Sequence, residues 1–181
     1  DWAIENDMDI INLSAGTQTT SPAFQGVMDK AYNSGLLIVA AAGNDGNIDG
    51  SGDTVDFPAR YDSVIGVSAV DSYLNRASFS STGSMVEIAA PGVQILSTYL
   101  GNQYAYISGT SMAAPYVSGE LALILQAYPH LSNKEIRKVM IEHTMDLGLK
   151  GRDTYFGYGL MQASSFTQPI NIIEENPVTS L

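Results

Sequence analysis

The chain contains no cysteine, a single tryptophan and only two histidines, His130 and His143, in 181 residues. The first absence excludes disulfides, thiolate nucleophiles and cysteine-ligated zinc. Basic residues are also scarce: eight Lys and Arg stand against nineteen Asp and Glu, a formal net charge of -11 at pH 7. Such a chain repels phosphates, so neither nucleic acid nor an anionic membrane surface is expected as a partner. No apolar stretch approaches the ~20 residues a membrane helix requires, and no charged-then-apolar leader follows Asp1. What the chain does have is 45% hydrophobic residues and 17 glycines, a composition suited to one loop-rich α/β domain with a sizeable core.

Hydrophobic patterning gives the element order. Residues 1–6 read as a helix end and 9–13 as a strand. Pro22 to Asn33 reads as a helix closed by Ser34 and Gly35. Leu36 to Ala42 is continuously apolar, the pattern of a parallel strand buried on both faces, and completes a βαβ unit. Val64 to Val70 predicts another buried strand, with shorter ones near 86–89 and 94–97. A helix over 111–127 carries Leu121, Leu123, Ile124 and Leu125 around its circumference and should be central. Ser132 to Glu135 is a capping-box pattern opening an amphipathic helix through Ile136, Val139 and Met140. The folded portion is expected to be 1–166, with 167–181 an extended tail or linker holding two prolines and two adjacent glutamates.

The most informative segment is Gly109 to Gly119, Gly-Thr-Ser-Met-Ala-Ala-Pro-Tyr-Val-Ser-Gly. Gly109 allows close backbone approach, Thr110 is a candidate cap, and Pro115 is expected within the first helical turns. Ser111 then stands at a helix N-terminus, where free N–H groups and the helix dipole favour an oxyanion. A second segment ends the apolar run of Ala41 and Ala42 in Gly43, Asn44, Asp45 and Gly46. An amide at the carboxyl end of a buried strand is placed to donate to a substrate oxygen, although Asn44 also suits a turn with Gly43 and Gly46. A third runs from an apolar strand into Ser14, Ala15 and Gly16, a small-residue edge along which a peptide can add as a strand.

These three segments resemble the serine motif, the oxyanion segment and the substrate edge of the subtilisin-like serine proteases. Asp71 to Ser81, Ala90-Pro91-Gly92 and Tyr158-Gly159-Leu160 resemble the same family, so the likeness runs from Asp1 to about Phe166. It implies a three-layer α/β fold with a mostly parallel central sheet, incomplete at its N-terminal side. It also implies a serine endopeptidase in which Ser111 attacks the scissile carbonyl and Asn44 and the Ser111 N–H hold the oxyanion. Ser14, Ala15, Gly16, Ala41, Ala42, Gly43 and Gly109 would then align a peptide or protein substrate. Asp56, two residues before Pro58, would stand in the wall or floor of the pocket for the residue N-terminal to the cut, or else turn outward with Asp53.

Two features depart from the family, Ala15 where Leu is more usual and Tyr116 where His usually follows the proline. The triad order of the family is Asp, His, Ser, and Asp1 aligns downstream of the first two. His130 and His143 have no motif around them and read as loop and helix-end residues. The missing N-terminal part of the domain is thus an expected partner, and the fragment alone is expected to be inactive. A catalytically silent, peptide-binding homologue and an esterase on the same site are the competing readings. No cofactor is required for the chemistry. Calcium or a monovalent cation for stability is suggested by Ala59, Tyr61 and Val64, which resemble a weak backbone site. Asp45, Asp49, Asp53 and Asp56 lack EF-hand spacing and read as a solvated acidic loop. The family likeness points to an extracellular location, with the cytoplasm as the alternative.

Overall fold

A computed structural model describes residues 1–163, so the expected boundary at 166 and the tail 167–181 lie outside the described residues. After a short helix α1 (Trp2–Glu5), strand β1 (Ile10–Leu13), helix α2 (Pro22–Asn33) and strand β2 (Leu37–Ala41) form the expected βαβ unit. Strands β3 (Ile65–Val70) and β4 (Val86–Pro91) follow. Next come β5 (Ile95–Tyr99), β6 (Gln103–Ile107) and helices α3 (Thr110–Ala127) and α4 (Asn133–Glu142). β1 to β4 pair in sequence order as a wholly parallel sheet. β5 and β6 form a separate antiparallel hairpin. β6 has no counterpart in the sequence reading, because Gln103 to Ile107 alternates on a surface ribbon and is not a continuous apolar run. Its turn uses Gly101 and Asn102, both at positive φ, a signal that Gly-Asn carries in sequence.

Period-two alternation along the buried strands builds two cores. Leu37, Val39, Ile65, Val67, Ile88 and Ala90 pack against Ala113, Val117, Leu121 and Ile124 of α3 and Ile136 and Met140 of α4. The opposite face puts Ile38, Ala40, Ala42 and Val86 against Ala31, Phe24 and Met28 of α2, with Tyr61 and Val64. The result is the three-layer arrangement, with β2 and β3 buried throughout. Each fully buried Leu, Ile or Val contributes roughly 1.5–3 kcal/mol. α4 opens on the expected capping box, in which the Ser132 hydroxyl accepts from Glu135 N and the Glu135 carboxylate accepts from Ser132 N. Its Arg137 pairs with Glu87 of β4, both side chains being largely buried. No helix among the described residues is long and apolar enough to cross a membrane.

Glu120 is the exception to an apolar α3. It is only 2% exposed, and neither carboxylate oxygen makes a hydrogen bond of normal geometry. Burial pushes its carboxyl up to about 7, with the backbone N–H of Gln162 opposing the shift. The folded state therefore holds this proton more tightly than the unfolded chain does, so the group's contribution is present below the unfolded value of 4.5 and is lost as pH rises through about 7. Glu120→Gln should leave stability near pH 4.5 almost unchanged. At about pH 8.5 it should raise stability by on the order of 2 kcal/mol, read by urea denaturation at both pH values.

Candidate active site

Parallel pairing places the site. Leu13 is in register with Ala40, so the segments leaving β1 and β2 emerge at the same carboxyl edge of the sheet. β1 delivers Ser14, Ala15 and Gly16, all exposed, and β2 delivers Gly43 and Asn44. Gly43 takes φ +113, and a Cβ there would lie 2.6 Å from Asp56 Oδ2 and 2.8 Å from Ser81 Oγ. Only glycine permits this turn. Gly92 follows the end of β4; its carbonyl accepts the Gly109 N–H at 2.8 Å and brings the N-terminus of α3 to the same edge.

Thr110 does not cap α3 as expected. Gly109 is the N-cap, without a side-chain cap bond, and Thr110 is the first helical residue. The Thr110 hydroxyl and N–H instead donate to Asn44 Oδ1, at 3.1 and 2.9 Å, and its oxygen accepts the Gly43 N–H at 3.2 Å. Two donors on Oδ1 fix the Asn44 amide and turn Nδ2 outward, where it makes no hydrogen bond among the described residues. A Cβ on Gly109 would stand 3.7 Å from both Nδ2 and Oδ1, in ordinary van der Waals contact with the amide. The N–H of Ser111 belongs to the first turn of α3, where backbone donors lack helical partners.

Pro115 falls within the first helical turns as expected, at the sixth position of α3. A proline there cannot donate to the carbonyl four residues back, which is that of Ser111. The Ser14 hydroxyl takes the place of the missing N–H and donates to Ser111 O at 2.8 Å. In return the Ser111 hydroxyl donates to Ser14 O at 3.1 Å. The pair ties the β1 edge to the serine at the helix start. Sequence reading assigned Ser14 to the edge but missed this side-chain role; the interior proline was its signal.

Of the remaining expected residues, Ala41 and Ala42 are buried at the end of β2, where Ala42 O accepts the Asp56 N–H at 2.8 Å. Asp56 turns inward, not out with Asp53. It is 8% exposed, and its Oδ1 has no partner. Burial pushes its carboxyl above the usual carboxylate range, and the Asp45 charge adds to this; Arg60 acts oppositely. Tyr61 and Val64 lead into the amino end of β3, away from this edge. Tyr61 O accepts Val64 N–H, and Arg137 donates to Asp62 O at 2.8 Å and to Val64 O at 3.4 Å. Of the three expected carbonyls, that of Val64 thus already receives a guanidinium N–H, which a cation there would have to displace. No cluster of three metal-ligating side chains occurs among the described residues.

The Ser111 hydroxyl donates to Ser14 O and not to a histidine. His130 follows the far end of α3, a helix about 27 Å long. His143 closes α4, with Nδ1 2.8 Å from Val139 O.

An exposed strand edge, an amide donor and a serine at a helix start stand together at the carboxyl edge of the sheet, on the three segments that resemble the subtilisin-like serine proteases. Residues 1–159 match the model of the subtilase family, and the chain belongs to that family. It is 48% identical over 168 residues to subtilisin DY of Bacillus licheniformis, covering 93% of this chain and 60% of that protein. Against the minor extracellular protease Epr of Bacillus subtilis (strain 168) it is 48% identical over 162 residues, covering 90% of this chain and 24% of the relative. Against subtilisin E of the same strain it is 46% identical over 168 residues, 93% and 43% respectively. The chain thus spans less than two thirds of these relatives.

The Ser14 and Ser111 pair generates a stability test. Ser14→Ala removes the donor to the Ser111 carbonyl, a bond at the surface, and should destabilise the fold by about 0.5–1 kcal/mol. Pro115→Ala restores an N–H able to take that carbonyl, so Ser14→Ala should cost clearly less in the Pro115→Ala background, measured by denaturant unfolding of the four-protein cycle.

Proposed function

We propose that this chain is the nucleophile-bearing part of a serine endopeptidase acting outside the cell. The observation that carries the reading is the joint placement of Ser111 Oγ, the outward Nδ2 of Asn44 and the Ser14 to Gly16 edge around one helix N-terminus. A peptide lying as an added strand on that edge presents its carbonyl to Ser111. Attack by Oγ forms a tetrahedral intermediate whose oxyanion takes the Asn44 amide and the Ser111 N–H as donors, and the amine then leaves from an acyl-enzyme. Such a step needs a base to accept the serine proton and a carboxylate to orient that base. In this reading both come from a part of the protein outside these residues, since His130 and His143 stand elsewhere. The 181-residue chain by itself is inert, and the rest of the catalytic domain is its first partner. The chemistry requires no cofactor. A cation at Ala59, Tyr61 and Val64 would add stability only, in competition with Arg137 for the Val64 carbonyl.

The test is kinetic, in the full-length polypeptide. Ser111→Ala should lower turnover of a peptide ester by several orders of magnitude without unfolding the protein. Asn44→Leu should lower kcat with little change in KM, by on the order of a hundredfold, the scale known for removing that donor in a subtilisin. A folded wild-type protein that binds peptides and turns over none of them would instead be a silent binding homologue.

A further inference from the structure

We propose that Asp56 and Asp45 make the acyl-side pocket of this protein a receptor for a lysine or arginine side chain. The inference rests on the proposed endopeptidase reading and names the substrate class of that same site. The Asp56 carboxyl fills the notch between the two glycine-bearing segments of the site. A Cβ on Gly16 would lie 2.8 Å from Asp56 Cβ and 2.9 Å from its Oδ2, and one on Gly43 2.6 Å from Oδ2. Gly16 ends the peptide-aligning edge, and Gly43 precedes the oxyanion donor and is tied to the residue before Ser111 by its N–H on Thr110 Oγ1. A peptide laid on that edge with its carbonyl at Ser111 therefore sends the side chain of its acyl residue toward this carboxyl.

The chain's own cation answers the charge only in part: Arg60 acts on Asp56 through space and makes no hydrogen bond to its carboxylate. Beside the notch is a cavity of about 310 Å³ lined by Gln18, Asp45, Asp53, Thr54, Asp56 and Arg60 among others. Arg60 is committed elsewhere: it donates to Val55 O at 2.8 Å, to Asp53 O at 3.2 Å and to Asp53 Oδ1 at 2.9 Å, and it lies over the Phe57 ring. Asp45 has one oxygen on Gln18 Nε2 at 2.9 Å, and its charge acts directly on Asp56. Asp56 Oδ1, shielded from solvent, has no partner at all. A buried acceptor without a donor costs free energy, and an incoming ammonium or guanidinium supplies the donor together with the compensating charge. Phenylalanine leaves that acceptor orphaned, and glutamate adds a like charge.

The experiment compares peptides differing only in Lys, Arg, Phe or Glu at the acyl residue, in the full-length polypeptide. Two readouts are taken: kcat/KM of the wild type, and equilibrium binding of the same peptides to Ser111→Ala. Lys and Arg should exceed Phe, and Phe should exceed Glu, in both. Asp56→Asn should lower the Lys to Phe ratio at least about tenfold, the scale of one charge-assisted hydrogen bond, and should improve Glu. Asp45→Asn, at an exposed position that the fold does not depend on, should move both ratios the same way by less, and added salt should shrink its effect. If Asp56→Asn fails to fold, the Asp45→Asn ratios decide. Equal responses of Lys, Phe and Glu to the substitutions would overturn the pocket while leaving the endopeptidase standing. A Lys preference in binding without turnover by the wild type would sustain the pocket and sink the endopeptidase.

Discussion

Everything at the site depends on a carbonyl that its own helix cannot satisfy. Pro115 withholds the N–H that Ser111 O would otherwise receive, and the Ser14 hydroxyl supplies it from the end of β1. The exchange is mutual, since the Ser111 hydroxyl rests on Ser14 O. One missing backbone donor thereby binds a strand end to a helix start, across 97 residues of sequence, and sets the serine beside the edge along which a peptide would lie. The two reciprocal bonds, each the scale of an ordinary hydrogen bond of about 1 kcal/mol, favour one geometry for the junction.

A second tie acts on the donor side. Thr110 spends its N–H and hydroxyl on Asn44 Oδ1 and accepts from Gly43, so the first helical residue orients the amide and holds the β2 edge. Neighbours in sequence, Thr110 and Ser111 are bound to two adjacent strand ends. The parallel sheet makes this possible, because its strands all end on one side and bring β1 and β2 out together. Preorganisation of this kind gives a fixed dipole its value in an active site, where reorientation during reaction would consume the advantage.

Much of this was legible in sequence, for physical reasons. The apolar run over 36–42 could be buried only as a parallel strand, and both it and the capping box at Ser132 stand where their patterns put them. Ser111 and Asn44 stand out in the sequence because each follows a glycine at an element boundary, and the Ser14 edge because an apolar strand gives way there to small residues. The misses are as instructive. Thr110 reads as a cap because its local preference is strong, yet a long-range acceptor, Asn44 Oδ1, and a long-range donor, the Gly43 N–H, outbid that preference. β6 alternates on a surface ribbon and leaves no apolar signature. Asp56 was ambiguous between pocket and solvent, since the choice rests on the space left by Gly16 and Gly43, which no local pattern encodes. Glu120 gave no signal of burial, because a lone acid in an Ala- and Leu-rich helix reads as its solvent face.

The central claim is that one hydroxyl, that of Ser111, is the nucleophile. It is tested most directly by treating the full-length polypeptide with a peptidyl diphenyl phosphonate, which reacts only with a serine activated by a base and beside an oxyanion donor. Proteolysis with an unrelated enzyme and mass spectrometry then locate the adduct. The account predicts a single adduct, on the peptide carrying Ser111, formed in step with loss of hydrolytic activity. An adduct on any other serine, or loss of activity with Ser111 unmodified, would contradict it.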